Sequence, residues 1–227
     1  MAKVLVISDL HYERMVYRSV DESEAFEWLL GVVAAHQPGV VLSTGDWGRA
    51  LTPDDVRILT SMARVLTIHG NHENMRTLLS AHILMEPGRV YEAGGLRVAG
   101  ISGIVSSRPE REGTPRRRPE DFIREAEALA KRGPIDVLLL HQPPLLPSLF
   151  PGIEENPGTI AALRALELIS PRLAVVGHMH AGYRRVEHGE TIVVHIDSSL
   201  LRREYIIIED GAATVYRGWR IVDRFNL

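Results

Sequence analysis

Residues 4–11 have the sequence VLVISDLH, in which four consecutive apolar residues lead directly to Asp9 and His11. A short apolar run bounded by polar residues predicts a buried strand, because a strand that is covered on both faces has no alternating polar positions. Asp9 and His11 then lie at the carboxyl end of that strand, the edge where open α/β sheets bind ligands. This stretch therefore predicts an α/β core with polar groups at its strand ends.

Four further apolar runs are also followed by residue types that can bind a metal. Any one of these clusters could be a turn former or a buried loop histidine. Five clusters in succession, each after a buried strand, would bury unpaired polar groups unless they served one site. They therefore predict a metal site at the strand ends. The four runs and their polar residues are 40–42 with Asp46, 64–68 with Asn71 and His72, 136–140 with His141, and 173–176 with His178 and His180.

Helical patterns alternate with these strands. The spacing of apolar residues between positions 26 and 33 predicts a helix, for which Ser19 and Glu22 would form a capping box. Thr52, followed by proline and two aspartates, predicts the start of a second helix. A third helix is expected to begin at Pro119.

The last third of the chain changes character, with strands predicted at 183–187, 191–196, 204–208 and 213–216 and tight turns at Gly189 and Gly211. Strand–helix alternation followed by hairpins predicts one domain over residues 1–227, an α/β core of two sheets with helices packed outside. The Arg- and Pro-rich segment at about residues 106–119 is too polar for the core, and we expect it to be a loop.

Composition limits the classes of function. With 29 acidic and 26 basic residues, the net charge of −3 gives no reason to expect a general nucleic-acid or anionic-membrane surface. Because the chain has no cysteine, any metal must be held by His, Asp, Glu or Asn. No apolar run approaches the roughly 18 residues of a membrane span, and none near the start resembles a secretory signal. We therefore expect a cytoplasmic protein without a membrane partner.

The five polar clusters together resemble the signature of the calcineurin-like metallophosphoesterases, which is D-x-H, G-D, G-N-H-[DE], H and G-H-x-H. All five blocks occur here in that order between residues 9 and 180. The resemblance implies a two-sheet β-sandwich flanked by helices, in four layers α/β/β/α, with a dinuclear metal centre along the strand ends. By the same resemblance, one metal would be held by Asp9, His11 and His180, the other by Asn71, His141 and His178, and Asp46 would bridge the two.

Three other residues near these ligands receive expected roles. The resemblance makes His72 a catalytic residue outside the metal ligands, and an imidazole that titrates near pH 7 can protonate a leaving group. An alternative role for His72 is to orient Asp9 through a hydrogen bond. Arg49 stands where many family members carry Asp or Asn, and it could contact the substrate phosphate or be solvated. Glu73 is expected to cap the helix that begins after it.

The implied reaction is hydrolysis of a small-molecule phosphodiester or phosphomonoester by a hydroxide that bridges two divalent ions. Mixed nitrogen and oxygen ligands suit manganese, iron, zinc or nickel. The phosphorylated substrate is the expected partner, and the sequence does not indicate an oligomeric state. No role is assigned to His195 or to residues 197–199, which follow a C-terminal strand.

Two alternative functions stay open at this point. One is a nuclease acting on DNA or RNA, but only 47 residues follow His180, and the Arg-rich segment contains Glu110 and Glu112 and few aromatic residues. The other is a non-catalytic, protein-binding scaffold of the same fold. Lost ligands would mark such a scaffold, whereas the seven ligand positions and His72 are all intact.

Overall fold

The computed structural model of the chain describes residues 2–106, 110, 111 and 113–227. Its helices are α1 (Ala25–His36), α2 (Pro53–Met62), α3 (Met75–Ser80), α4 (Pro119–Ala130) and α5 (Pro157–Ile169). Its strands are β1 (Val4–Ile7), β2 (Val16–Tyr17), β3 (Val20–Asp21), β4 (Val40–Ser43), β5 (Arg64–Thr67), β6 (Tyr91–Ala93), β7 (Leu96–Ile101), β8 (Ile104–Val105), β9 (Glu110–Arg111), β10 (Thr114–Arg117), β11 (Val137–Leu140), β12 (Leu173–Val176), β13 (Arg184–His188), β14 (Thr191–His195), β15 (Glu204–Glu209), β16 (Ala212–Arg217) and β17 (Arg220–Asn226).

Two six-stranded sheets form the centre of the fold, with strand orders β17-β16-β15-β1-β4-β5 and β13-β14-β12-β11-β7-β6. Successive residues of a strand point to opposite faces of its sheet. Val4 and Val6 of β1 accordingly lie in the core between the sheets, whereas Leu5 and Ile7 pack with residues of α1 and α2. Strand β11 divides its side chains in the same way between this core and helices α4 and α5. The predicted α/β/β/α layering is confirmed.

The strands nearest the centre are parallel, which sets where the site can form. In the first sheet β1 pairs in parallel with β4, and β4 with β5. In the second sheet β11 pairs in parallel with β7 and β12, and β12 with β14. The carboxyl ends of parallel strands meet at one edge, so the loops that follow them gather there.

The predicted start of the first helix is wrong. Ser19 does not cap a helix with Glu22, because Arg18 and Ser19 form the turn of the β2–β3 hairpin with φ angles of 46° and 66°. The side chain of Asp21 instead caps a short 3-10 turn that precedes α1.

The segment at about residues 106–119 is not simply a loop. It contains β10, which pairs with β8 and β9 in a small third sheet, and α4 begins at Pro119 as predicted. Residues 107–109 and 112 of this segment lie outside the described residues. No helix in the described part of the chain is long and apolar enough to cross a bilayer.

Candidate metal centre

The side chains that the sequence singles out as metal ligands converge at the strand ends. Two groups of three have ligand atoms within 4.8 Å of one another, namely Asp9 with His11 and His180, and Asp46 with His141 and His178. The amide oxygen of Asn71 lies 3.2 Å from Nε2 of His141, beside the second group. All seven side chains therefore lie close together at the strand ends.

The carboxylate of Asp46 lies between the two groups. Its Oδ2 is 3.3 Å from Nε2 of His141 and 3.7 Å from Nε2 of His11. Its Oδ1 accepts hydrogen bonds from the backbone N–H groups of Asn71 and His72, the latter at 2.7 Å. One oxygen is thus fixed by the backbone, while the other faces a histidine of each group.

The donor atoms fit divalent cations. Nδ1 of His141 lies 2.9 Å from the carbonyl oxygen of Thr44, so Nδ1–H donates there and Nε2 is the nitrogen that can bind a cation once its proton is lost. Nε2 of His11 is buried and has no hydrogen-bond partner within the described chain. A buried nitrogen without a partner is unfavourable, and a cation at this point would satisfy it.

Four candidate ligands have left-handed backbone conformations, with φ of 54° at Asp9, 50° at His11, 56° at Asp46 and 74° at His178. Such conformations cost about 1–3 kcal/mol for residues other than glycine and concentrate at functional sites. Hydrogen bonds hold this geometry, since the Asp9 carboxylate accepts from the Ser8 hydroxyl and, at 3.0 Å, from the His178 backbone N–H.

Two glycines of the signature allow the loops to approach one another. A Cβ on Gly70 would lie 2.1 Å from Oδ1 of Asp46 and 2.6 Å from Cε1 of His141. A Cβ on Gly177 would lie 2.8 Å from Oδ2 of Asp9. Both positions therefore require glycine for space.

The histidines differ in charge. Burial lowers the pKa of His178 to about 3 and that of His11 to about 4, so both rings are neutral near pH 7. Burial also disfavours the charges of Asp46 and His141, but their mutual attraction outweighs it. The pKa of Asp46 is held well below its usual range, and that of His141 is raised to about 9. Without metal, these two groups form a buried ion pair.

Glu73 does not cap a helix, because the side chain of Asn74 caps α3 instead. Its buried carboxylate accepts hydrogen bonds from the backbone N–H groups of Asp46, Gly70 and Trp47 at 2.7, 2.8 and 3.1 Å. Burial, followed by the negative charge of Asp46, raises the pKa of Glu73 to about 8. Glu73 therefore connects the loop that carries Asp46 with the loop that carries Asn71.

His72 and Arg49 line the cleft beside the two groups. The His72 ring is 5.2 Å from the His11 ring, centroid to centroid, and belongs to neither group. Its alternative role of orienting Asp9 is not seen among the described contacts, since Asp9 is held by other donors. The backbone N–H of Arg49 donates to the carboxylate of Glu13 at 3.0 Å.

Asp197 is a site residue that the sequence did not reveal. Its buried Oδ2 lies 3.2 Å from Nδ1 of His180, and this hydrogen bond is the largest cause of the raised pKa of His180. The next residue, Ser198, accepts a hydrogen bond from the backbone N–H of Ser8. Because β14 runs parallel to β12, the loop after β14 reaches the same edge as His178. The predicted hairpins are also present, since β13 pairs antiparallel with β14 and β15 with β16.

Comparisons with known proteins agree with this fold. The family model described as calcineurin-like phosphoesterase matches residues 2–182, and no curated protein matches the chain. The TT1561 protein of Thermus thermophilus is 16% identical, with a TM-score of 0.67 over 99% of this chain and 98% of that chain.

Two further solved structures share the fold. GAP50, the anchor in the inner membrane complex of Plasmodium, is 10% identical with a TM-score of 0.62, over 100% of this chain and 88% of that chain. Purple acid phosphatase PPD1 from yellow lupin (Lupinus luteus) seeds is 12% identical with a TM-score of 0.58, over 99% of this chain and 53% of that chain. The match of the family model to most of the sequence shows that this chain belongs to the calcineurin-like phosphoesterase family.

Proposed function

We propose that this chain is a metal-dependent phosphoesterase that hydrolyses a phosphorylated small molecule with two divalent ions bound at the strand ends. The position of the Asp46 carboxylate between the two groups of ligands carries this proposal. A carboxylate in that position can hold both cations, because it has two oxygens and a negative charge. The proposed ligands are Asp9, His11 and His180 for one ion, Asn71, His141 and His178 for the other, and Asp46 for both.

The ligand chemistry suits manganese, iron, zinc or nickel, because it mixes imidazole nitrogens with carboxylate and amide oxygens. When bound, a pair of such ions supplies Lewis acidity toward the phosphate oxygens and toward a nucleophilic water. The buried ion pair of Asp46 and His141 supports this use of the site, because a cation can replace the positive charge of the His141 ring.

His72 and Arg49 are proposed to act on the substrate directly. In the hydrolysis, a water oxygen bonds to phosphorus and the bond from phosphorus to the ester oxygen breaks. His72 lines the cleft outside both groups of ligands, so its imidazole can donate a proton to the departing oxygen. Arg49 lines the same cleft, where its guanidinium can donate hydrogen bonds to a phosphate oxygen.

The test is the initial rate of hydrolysis of bis-p-nitrophenyl phosphate and of p-nitrophenyl phosphate, after chelation and after adding back Mn, Ni, Zn or Mg. We expect chelation to abolish activity and a metal to restore it in the wild type but not in His141→Ala. His82→Ala removes an exposed histidine outside both groups and is the matched control. Activity that survives chelation would contradict the proposal. A chain that neither binds metal nor turns over either substrate would favour the non-catalytic scaffold.

A further inference from the structure

A cleft of about 650 Å³ opens directly onto the candidate metal centre. His11, His72 and His180 line it on the side of the ligands, while the β2–β3 hairpin and residues 199–202 contribute other parts of its wall. Binding sites for organic ligands have volumes of roughly 300–1,000 Å³. The cleft therefore has room for an organic part of the substrate as well as the phosphate.

Part of the wall is apolar. Met15, Tyr17 and Leu201 line the cleft, and they are 53%, 42% and 40% exposed. Large apolar side chains that stay exposed in a concave site mark a surface for a ligand. The guanidinium of Arg18 lies 5.1 Å from the centroid of the Tyr17 ring, a cation–π contact that restrains the ring.

Positively and negatively charged side chains are equal in number around the cleft. Cations bound by the metal ligands would neutralise the phosphate that is cleaved, but the rest of the wall offers no excess of positive charge to a second phosphate. The cleft therefore favours an uncharged organic group over a polyphosphate or a nucleic-acid backbone. The basic residues that line the cleft are Arg18, Arg49 and Arg202, and the acidic residues are Glu13, Glu22 and Asp197.

The hairpin that carries Tyr17 retains backbone strain. Its two turn residues, Arg18 and Ser19, are both left-handed, a conformation for which two-residue hairpin turns favour Asn and Gly. Strain of this kind is concentrated where a segment has a function beyond stability. Val16, the neighbour of Tyr17 in the same strand, is 65% exposed and is not among the residues that line the cleft.

We infer that the β2–β3 hairpin determines substrate specificity by binding a flat, uncharged organic group of a phosphodiester against Met15, Tyr17 and Leu201. The substrate class is then a phosphodiester with a ring-bearing ester group, such as a nucleoside ester, in preference to a small monoester or a polyphosphate. This inference rests on the proposed function, because the hairpin can select substrates only if the adjacent site hydrolyses phosphoesters.

The experiment compares two diesters that release the same p-nitrophenolate, methyl p-nitrophenyl phosphate and thymidine 5′-(p-nitrophenyl phosphate), with the metal-loaded protein. We expect kcat/KM to be at least about tenfold higher for the thymidine ester, because a base can stack on an aromatic ring. Tyr17→Ala should reduce this preference about tenfold, mainly through KM. Val16→Ala, on the same hairpin but outside the cleft, should leave the preference within about twofold.

If neither diester is hydrolysed but p-nitrophenyl phosphate is, the inference is overturned while the proposed function stands. If none of the three is hydrolysed, the proposed function fails and the inference fails with it. If both are hydrolysed without preference, or if Tyr17→Ala leaves the preference unchanged, the inference on the hairpin is overturned while the proposed function stands.

A second measurement does not depend on any variant. Thymidine and 2-deoxyribose are compared as inhibitors of methyl p-nitrophenyl phosphate hydrolysis by the wild type. Thymidine should inhibit at a concentration at least about fivefold lower, because only thymidine carries the planar base that can stack on the Tyr17 ring. Equal inhibition constants would overturn the inference.

Discussion

The carboxylate of Glu73 accepts a hydrogen bond from the backbone N–H of Asp46 at 2.7 Å. The same oxygen accepts from Gly70 at 2.8 Å, and the other oxygen accepts from Trp47 at 3.1 Å. A single buried side chain therefore joins the turn after β4, which carries Asp46, to the turn after β5, which carries Asn71. The relative position of these two candidate ligands depends on Glu73.

At pH 9, where Glu73 is ionised, its replacement by glutamine should destabilise the protein and weaken metal binding together. The amide can still accept hydrogen bonds through its oxygen, but its NH₂ group faces a backbone N–H that loses its acceptor. A buried donor without a partner costs about 1–3 kcal/mol. Urea unfolding and metal titration check this result, with Glu120→Gln on the exposed face of α4 as the matched control. Equal stability of Glu73→Gln and wild type would show that these hydrogen bonds do not organise the site.

Alanine at two different glycines should have opposite effects. Gly70→Ala places a Cβ against Asp46 and His141, so we expect loss of metal binding and of activity. Gly31 lies inside α1 with nothing within 4 Å of the point that a Cβ would occupy, so Gly31→Ala should stabilise the fold by about 0.5–1 kcal/mol. The unfolding temperature and the bound metal per chain are measured for both variants. Full metal binding by Gly70→Ala would rule out the close approach of the two loops.

The turn of the β2–β3 hairpin should become more stable when its residues match its backbone. Replacement of Arg18 by Asn and of Ser19 by Gly provides residues that accept φ angles of 46° and 66°. We expect the free energy of unfolding to rise by about 1 kcal/mol or more, measured by urea denaturation. A decrease in the free energy of unfolding would mean that the Arg18 and Ser19 side chains stabilise the hairpin by more than the backbone strain destabilises it.

Acid should destabilise the fold through His195, which lies in the core beside Phe150. Burial lowers its pKa to about 4, against an ordinary value of about 6.5. Since the unfolded chain binds the proton more tightly, the contribution to stability is complete above pH 6.5 and falls as the pH drops toward 4. Among nearby charges, Asp197 opposes this shift and His180 adds to it.

The contribution of His195 to this pH dependence is measured by comparing wild type with His195→Asn. The asparagine amide can replace the hydrogen bond from Nδ1 of His195 to the Val176 carbonyl. Between pH 7 and pH 5, the stability of the wild type relative to this variant should fall by about 2 kcal/mol. Urea unfolding at each pH in the presence of a chelator measures the difference. The exposed His82→Asn is the control, and a difference that does not change with pH would contradict the assignment.

Much of the fold and of the candidate site was accessible from the sequence, for a physical reason. The central strands are buried on both faces, so each is a continuous apolar run, and each ends where the polar residues begin. Asp46 and His141 are far apart in sequence, but each follows a strand of this kind. They lie close together because the carboxyl ends of these parallel strands meet at one edge. The predicted layers and the family resemblance are confirmed on this basis.

What the sequence did not reveal depends on contacts between distant segments. Glu73 has the spacing of a helix cap, and only the approach of the Asp46 loop gives its carboxylate three other donors. Asp197 reaches His180 because β14 pairs in parallel with β12, a pairing of distant segments that no local pattern in the sequence indicates. Arg18 and Ser19 form a turn for which their residue types give no signal.

Metal stoichiometry tests most directly whether Asp46 joins two metal ions. Manganese is titrated into the chelated, dialysed protein and bound metal is counted per chain, for wild type, Asp46→Asn and His180→Ala. We expect two ions in the wild type and weakened binding of both ions in Asp46→Asn, whereas His180→Ala should mainly weaken one. A single ion per wild-type chain, or two ions bound with unchanged affinity by Asp46→Asn, would contradict the account.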